Sequence, residues 1–306
     1  MLQIIYNSTP LWDYFINNCQ EKAGYNFIRL QKKQNFWSSR KIVPRIVNMC
    51  VGKYLKFEYR YVINGNLLQI TNSDTILLLG IYNFAELLYL RSKFKKNKIC
   101  LWFWNPLDKT YNRNVNKIIN KLKSERFDIF TFDENDAQKF QINLRPQFSL
   151  ISSSLLKDNI EKQYDVYFLG QPKGRLELLR KFKQECDVKS ISCYFKIVNT
   201  SADYISYEQN IMNVCKSKSV LEFCQNGQCG LTLRALEATL CHRKLITNNK
   251  SIVKEDFYNP QNIFIIGKDS ELKLKGFINS DFLIANEDIL KKYDFNNWLD
   301  FFYKLK

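Results

Sequence analysis

Short apolar runs, each closed by glycine or Asn-Pro and each followed by a stretch of helical spacing, constrain this chain more than any other feature. Residues 75–79 (TILLL) end at Gly80 and precede a helical segment over 84–94. Residues 99–104 stop at Asn105-Pro106, with 116–123 helical beyond them. Residues 127–132 run into the acidic turn Asp133-Glu134-Asn135-Asp136. A run of this length without a polar face suits a strand buried on both sides of a parallel sheet. Residues 3–6 form a further strand, and Asn7-Ser8-Thr9-Pro10 opens a helix over 11–19. Strand followed by helix, repeated, predicts a layered α/β fold with right-handed crossovers.

The polar stretch 149–162 reads as a linker, which divides the chain into a unit over 1–150 and a second over 151–290. The second unit opens with DVYFL at 165–169, then Gly170, the turn 171–175 and a helix over 176–184. Strands follow at 190–198, 219–223, 244–247 and 263–266. Residues 291–306 close the chain with an aromatic amphipathic helix carrying Trp298, Phe301 and Phe302.

Two strand-to-helix turns carry chemistry. Gly170 lets backbone amides approach an anion, and Lys173 and Arg175 add charge beside it; a plain tight turn reads equally well. Gly227, Gln228 and Gly230 precede a helix predicted over 231–240, where Thr232 can cap the helix or bind a phosphate. Arg234 lies within reach of a diphosphate, and Glu237 shares its helix face; a surface ion pair between them is the plainer alternative. The leucines at 231, 233, 236 and 240 bury the other face, which leaves Glu237 to a cleft or to solvent. His242, the single histidine, sits in a helix-to-strand turn without a neighbouring nucleophile and reads as structural.

Charge is uneven. Residues 1–150 hold 23 Lys and Arg against 11 Asp and Glu, a net of +12; the remainder holds 23 against 19, a net of +4. A basic half implies an anionic partner: a phosphorylated substrate, an anionic membrane surface or nucleic acid. The basic and aromatic stretch with Phe36, Trp37, Arg40, Lys41, Arg45, Lys53, Tyr54 and Lys56 suits any of these, but shows no RNA- or DNA-binding signature. Nine cysteines without a C-x-x-C pair argue against a metal site and for reduced thiols. No apolar run is long enough to span a membrane and no basic leader precedes one, so a cytoplasmic protein is expected.

The stretches YDVYFLGQPKGRLELL (164–179), ISYEQNI (205–211), LEFCQNGQCGLTLRALEATLCHRKLITNN (221–249) and FYNPQNIFII (257–266) resemble bacterial GT-B glycosyltransferases of capsule, lipopolysaccharide and exopolysaccharide synthesis. ICLWFWNP (99–106) and FDIFTFDENDAQKF (127–140) extend the resemblance into the first half. It implies two Rossmann-like domains facing across a cleft, the first for the acceptor and the second for a nucleotide-sugar, with the last helix returning to the first domain. By position, Glu237 looks like the acid that holds the donor ribose. Gly170, Lys173, Arg175, Gly230, Thr232 and Arg234 look like diphosphate neighbours. The loop at Tyr207 looks like the nucleobase contact, and Asn262 lies near the ribose or sugar.

Many retaining members carry a second glutamate eight positions before the ribose acid; here that position is Cys229. The departure turns the expectation toward inversion, with a carboxylate base from the first half. Asp13 leads, followed by Asp133 and Asp136, and helix capping is the alternative for all three. The resemblance implies transfer without a metal or other cofactor, from a UDP-sugar by default, to a glycan or lipid-linked acceptor at the inner face of the plasma membrane. A basic nucleic-acid-binding module without catalysis is the competing expectation.

Overall fold

The computed structural model describes residues 1–19, 24–32, 61–62, 67, 69–111, 114–149, 151, 160–224 and 230–305. The basic and aromatic stretch from Phe36 to Lys56, and Gly227, Gln228 and Cys229, lie outside the described residues.

Seven strands build the first sheet: β1 (Leu2–Asn7), β2 (Tyr25–Lys32), β3 (Tyr61–Val62), β4 (Thr75–Leu79), β5 (Lys98–Phe103), β6 (Phe127–Thr131) and β7 (Asn143–Leu144). Their order is β3-β2-β1-β4-β5-β6-β7. The second sheet comprises β8 (Tyr164–Gly170), β9 (Cys193–Ile197), β10 (Ser217–Glu222), β11 (Lys244–Thr247) and β12 (Ile263–Ile265), in the order β12-β11-β10-β8-β9. The β2–β3 pair is antiparallel and the other described pairings within the sheets are parallel. In register, Leu2 pairs with Thr75 and Thr75 with Lys98, so β1, β4 and β5 begin together.

Helices run between the strands: α1 (Pro10–Asn18), α2 (Phe84–Lys93), α3 (Leu107–Thr110), α4 (Val115–Ser124), α5 (Glu134–Phe140), α6 (Leu176–Val188), α7 (Tyr207–Cys215), α8 (Leu233–Leu240), α9 (Leu274–Asn279), α10 (Glu287–Lys291) and α11 (Phe295–Lys304). Side chains fix where several begin. Thr9 accepts the Trp12 N–H ahead of α1, which opens on proline; Asn83, Ser206 and Asp294 cap α2, α7 and α11 in the same way.

All five residues of β4 are buried, as a strand covered on both faces requires. Apolar clusters fill both faces of each sheet. One face of the first sheet is covered by α1 and by α11, the last helix of the chain. Trp298 packs 4.9 Å from Trp102 and 4.4 Å from Phe148, and Phe302 packs 5.1 Å from Phe130, between ring centroids. Trp298 Nε1 donates to Pro146 O at 2.8 Å, and Arg145 Nη2 donates to Trp298 O at 3.0 Å. The chain passes beside itself at Ser149, whose N–H donates to Tyr293 O at 2.8 Å and whose carbonyl accepts from Phe295 N–H at 3.0 Å.

The strand order reverses once in each sheet, between β1 and β4 and between β8 and β10. Where it reverses, the crossovers leave to opposite faces and a crevice opens at the carboxyl ends of the strands.

Candidate functional site

The two crevices open onto one cavity of about 680 Å³. Thr9, Pro10 and Leu11 beyond β1, Trp104 and Asn105 beyond β5, Phe132 beyond β6, and Gln147 form one wall. Gly170, Gln171, Lys173 and Arg175 beyond β8, Phe223 beyond β10, residues 204–207 and 210 around the start of α7, and Thr232, Arg234 and Glu237 of α8 and its cap form the other.

Three cations converge on the second wall. Lys173 and Gly174 both take left-handed backbone angles, φ 41° and 77°, and the Arg175 N–H closes the turn on Pro172 O at 2.8 Å. That turn folds the buried Arg175 back beneath Gly170, where its guanidinium donates to Gln171 O and Phe223 O. Arg234 reaches the same place from the first turn of α8 and donates to Leu169 O from Nε at 2.9 Å and Nη2 at 2.7 Å. Both guanidinium carbons lie over the Phe168 ring, at 5.3 Å for Arg175 and 5.2 Å for Arg234. A Cβ at position 170 would stand 2.5 Å from Arg234 Nη2 and 2.9 Å from Arg175 Nη2, so a side chain there would displace the guanidinium groups from this approach. Burial and the nearby Arg234 pull Arg175 down to about 10. Desolvation, then Arg175 and Arg234, hold the Lys173 ammonium below its ordinary value. Like charges crowded in this way favour an anion between them.

Glu237 lies below the cations and is 4% exposed. Burial raises its carboxyl above the ordinary value, opposed by the charge of Arg234 and by hydrogen bonds from Asn210 and Tyr207. Burial, and then the Glu237 charge, hold the Tyr207 phenol well above its ordinary range. The network continues through Asn210 Oδ1, which accepts from Tyr167 Oη at 3.1 Å, and through a 3.2 Å contact between the Tyr207 and Ser149 hydroxyls. Glu237 is therefore a buried carboxylate on the cavity wall, not half of a surface ion pair.

The remaining sequence-predicted residues are placed as follows. Gly230 abuts the first half: its N–H donates to Asp133 Oδ2 at 3.0 Å, and a Cβ there would meet the Phe132 ring at 2.5 Å. Thr232 is the N-cap residue of α8, but its hydroxyl donates to Glu222 and accepts from none of the helix amides. Asp13 accepts from Ser8 Oγ at 2.6 Å in the first turn of α1, next to the wall residues Thr9–Leu11. Asp133 caps α5 through the Asp136 N–H at 3.1 Å, and Asp136 accepts the Leu107 N–H at 2.7 Å. Both are buried, and neither lines the cavity. Asn262 is not brought to the cavity either. Its amide exchanges two hydrogen bonds with the Leu283 backbone, at 2.6 and 2.9 Å, beside a smaller pocket of about 200 Å³. His242 stands away from the cavity lining and stacks on Phe282 with ring centroids 5.5 Å apart.

Sequence reasoning passed over Asn210, Trp104, Gln147 and Glu222. Asn210 follows Tyr207 by three residues on α7, a spacing that signals a shared face. Trp104 follows the carboxyl end of β5, where ligands of open sheets gather. Gln147 and Glu222 carry no such local signal. Among the described residues, no group of three or more His, Cys, Asp or Glu is placed to hold a metal ion, and no helix is long and apolar enough to cross a membrane.

No protein-family model matches the chain, and no curated protein sequence is similar to it. Solved structures are similar in fold. The N-terminal domain of Candida albicans trehalose-6-phosphate phosphatase superposes with a TM-score of 0.58 at 9% identity, covering 99% of this chain and 95% of its own. A UDP-forming trehalose-phosphate synthase from Burkholderia xenovorans gives 0.55 at 10%, covering 99% and 97%. Anabaena HepE, in complex with UDP, gives 0.52 at 8%, covering the whole of both chains. The shared architecture is GT-B, two Rossmann-like domains facing across a cleft, as the sequence resemblance implies.

Proposed function

We propose that the chain is a glycosyltransferase that moves a sugar from a nucleotide-sugar, with UDP as the first nucleotide to test, to a glycan or lipid-linked acceptor. One observation carries this reading: Lys173, Arg175 and Arg234 converge above the buried Glu237, at the carboxyl ends of β8 and β10 and opposite a separate wall. A diphosphate fits the cations, and a ribose diol fits an acid held by Asn210 and Tyr207. Neighbours of the same fold include one in complex with UDP and a UDP-forming synthase, which supports the choice of nucleotide.

In this reading the unit over 151–290 binds the donor, the unit over 1–150 binds the acceptor, and 291–306 ties the two together. Glu237 accepts from the ribose hydroxyls. Arg234 and Lys173 meet the diphosphate, with Arg175 adding charge from beneath; Gly170 and Thr232 border it, while the Gly230 amide is held by Asp133. Tyr207 and its loop border the base. An aspartate, for which we choose Asp13 because it adjoins the wall residues Thr9–Leu11, removes the acceptor hydroxyl proton. The acceptor oxygen bonds to the anomeric carbon as the bond to the diphosphate oxygen breaks, with inversion. The cations stabilise the charge that develops on the leaving group. Synthesis of a bacterial surface polysaccharide, at the inner face of the plasma membrane, is the setting this chemistry suits.

The test is a thermal-shift series with UDP, GDP, CMP, ADP and dTDP on the wild type and on Glu237→Gln. One nucleotide should raise the wild-type melting temperature, by about 2.7 kcal/mol of stabilisation at a hundredfold excess over Kd. The variant should bind it roughly 10- to 100-fold more weakly, as loss of a charged hydrogen bond predicts. Equal affinity in both proteins would remove Glu237 from the site. No shift with any nucleotide, together with tight salt-dependent binding of RNA or DNA, would favour the nucleic-acid module instead.

A further inference from the structure

The two halves meet at an aromatic joint beside the cavity. Helix α1, of the first half, presents Tyr14 and Phe15 to α7, of the second, and both meet Tyr207. Its ring centroid lies 4.7 Å from that of Tyr14 and 5.5 Å from that of Phe15. Phe15 continues the contact to Phe148 at 5.5 Å and Phe295 at 5.7 Å, on the two segments that run side by side at the buried Ser149. Tyr207 thereby packs against an apolar cluster of each half. Asp13, the base chosen above, is the residue before Tyr14 on α1.

The tip of the same side chain belongs to the donor site. The Tyr207 hydroxyl is hydrogen-bonded to the Glu237 carboxylate and to Ser149 Oγ, the latter at 3.2 Å. A carboxylate only accepts, so the phenol donates to Glu237 and the Ser149 hydroxyl donates to the phenol oxygen. Asn210 also donates to Glu237, and its Oδ1 accepts from Tyr167 Oη at 3.1 Å. Tyr207 and Asn210 stand three residues apart on α7, so one helix face holds the acid at two points. A ring packed on both halves and bonded at its tip links the nucleotide acid to α1 through a single rigid side chain.

Resting on the donor reading above, we infer that Tyr207 is a positioning residue that acts through Glu237: its hydroxyl orients the acid for the ribose, and its ring passes that order to α1 and to Asp13. Nucleotide bound at Glu237 then steadies, on the opposite wall, the helix that faces the acceptor. The hydroxyl also favours the ionised acid, because a hydrogen bond to a carboxylate lowers its affinity for a proton. Among the described residues, the titratable groups that face Glu237 are Arg234 on α8, Cys241 at the end of α8, Tyr207 on α7 and Tyr167 on β8. An arginine stays charged throughout. The thiol and both phenols hold their protons above their ordinary values, the thiol through its bond with Cys215 and burial, the phenols chiefly through burial. Of these groups, Glu237 is therefore the one that titrates in acid.

The test uses the full chain with UDP as the probe, or with GDP, CMP, ADP or dTDP where one of these is the nucleotide that stabilises the wild type. Affinity is measured by calorimetry across a pH series for the wild type, Tyr207→Phe, Glu237→Gln and the double variant. Tyr207→Phe keeps the ring and its packing, and should bind the nucleotide about tenfold more weakly at neutral pH. On acidification its affinity should fall off at a higher pH than that of the wild type, because Glu237 has lost a bond to its charged form. The phosphate of the nucleotide titrates alike in both proteins, and the shift should vanish in the Glu237→Gln background. Hydrogen exchange reads the far end of the link. Nucleotide should slow exchange of the α1 amides in the wild type and not in Tyr207→Phe, where the ring remains but its bond to the acid is cut. An unshifted acid limb, the same shift without Glu237, or equal protection of α1 in both proteins would overturn the inference while leaving the donor site standing. A wild type that none of the five nucleotides stabilises would bring down the donor reading and this inference together.

Discussion

The two walls of the cleft are built the same way and finished differently. Each gathers loops at the carboxyl ends of parallel strands around a point where strand order reverses. On the second wall, Gly170 clears space for two guanidinium groups over one phenyl ring. On the first, Trp12, Trp102, Trp104 and Phe148 interlock, and the described residues that line the cleft carry no charge. The fold therefore decides where a ligand goes, and side chains decide which one. Among the described lining residues, the first wall contributes aromatic and neutral side chains and the second contributes the charges.

The largest expected effect tests the stability side. Trp298 is fully buried between the first sheet and Phe148, so Trp298→Ala should lower unfolding stability by about 3–5 kcal/mol. Denaturant titration reads the loss, and nucleotide affinity of the folded fraction should not change. A change in affinity would break the separation of the two walls. The converse is Arg234→Met, which retains much of the aliphatic reach over Phe168 and removes one of three crowded cations. Nucleotide affinity should fall roughly 10- to 100-fold, the loss of a charged hydrogen bond, while the melting temperature of the free protein changes little. A protein destabilised without loss of affinity would show Arg234 to be scaffolding for Leu169 O alone.

Glu237 gives a smaller effect that depends on pH. Burial raises its carboxyl above the ordinary 4.5 despite Arg234, Asn210 and Tyr207, so the folded state holds the proton more tightly than the unfolded chain. Stability relative to Glu237→Gln is then highest below pH 4.5 and falls as pH rises from there through the raised value. Urea midpoints of the two proteins at a series of pH values check the sign. Parallel curves would mean that Arg234 and the bonds from Asn210 and Tyr207 balance burial, and a reversed slope that they outweigh it.

Much of the fold was legible because its signals are local. Residues 75–79 coincide with β4, since a strand covered on both faces has no polar position to blur its edges. The helix predicted over 231–240 starts two residues later, because the Thr232 hydroxyl turns to Glu222 instead of capping the amides. Convergence of Lys173, Arg175 and Arg234 could be anticipated from the glycine turns that precede their helices. What stayed hidden depends on contacts distant in sequence. Glu222 ends a strand as a fully buried carboxylate, satisfied by the hydroxyls of Thr232 and Thr247. Asn262 is occupied by the backbone of Leu283, and Asp133 by the amide of Gly230, neither of which a motif reveals.

The smallest effect concerns the two contacts that α5 and its cap make with the second half. Asp133, 2% exposed, holds the Gly230 N–H where Phe132 leaves no room for a side chain. One residue on, Glu134 pairs with Lys254 at 2.7 Å, but with the two side chains 45% and 63% exposed. Water screens the second contact and not the first, so only the buried one should fix how the walls meet. Lys254→Ala should change stability by no more than about 0.5 kcal/mol and leave nucleotide affinity unaltered, with the difference vanishing at high salt. A larger loss that persists in salt would show that the exposed pair also sets the spacing between the aromatic wall and the cationic one.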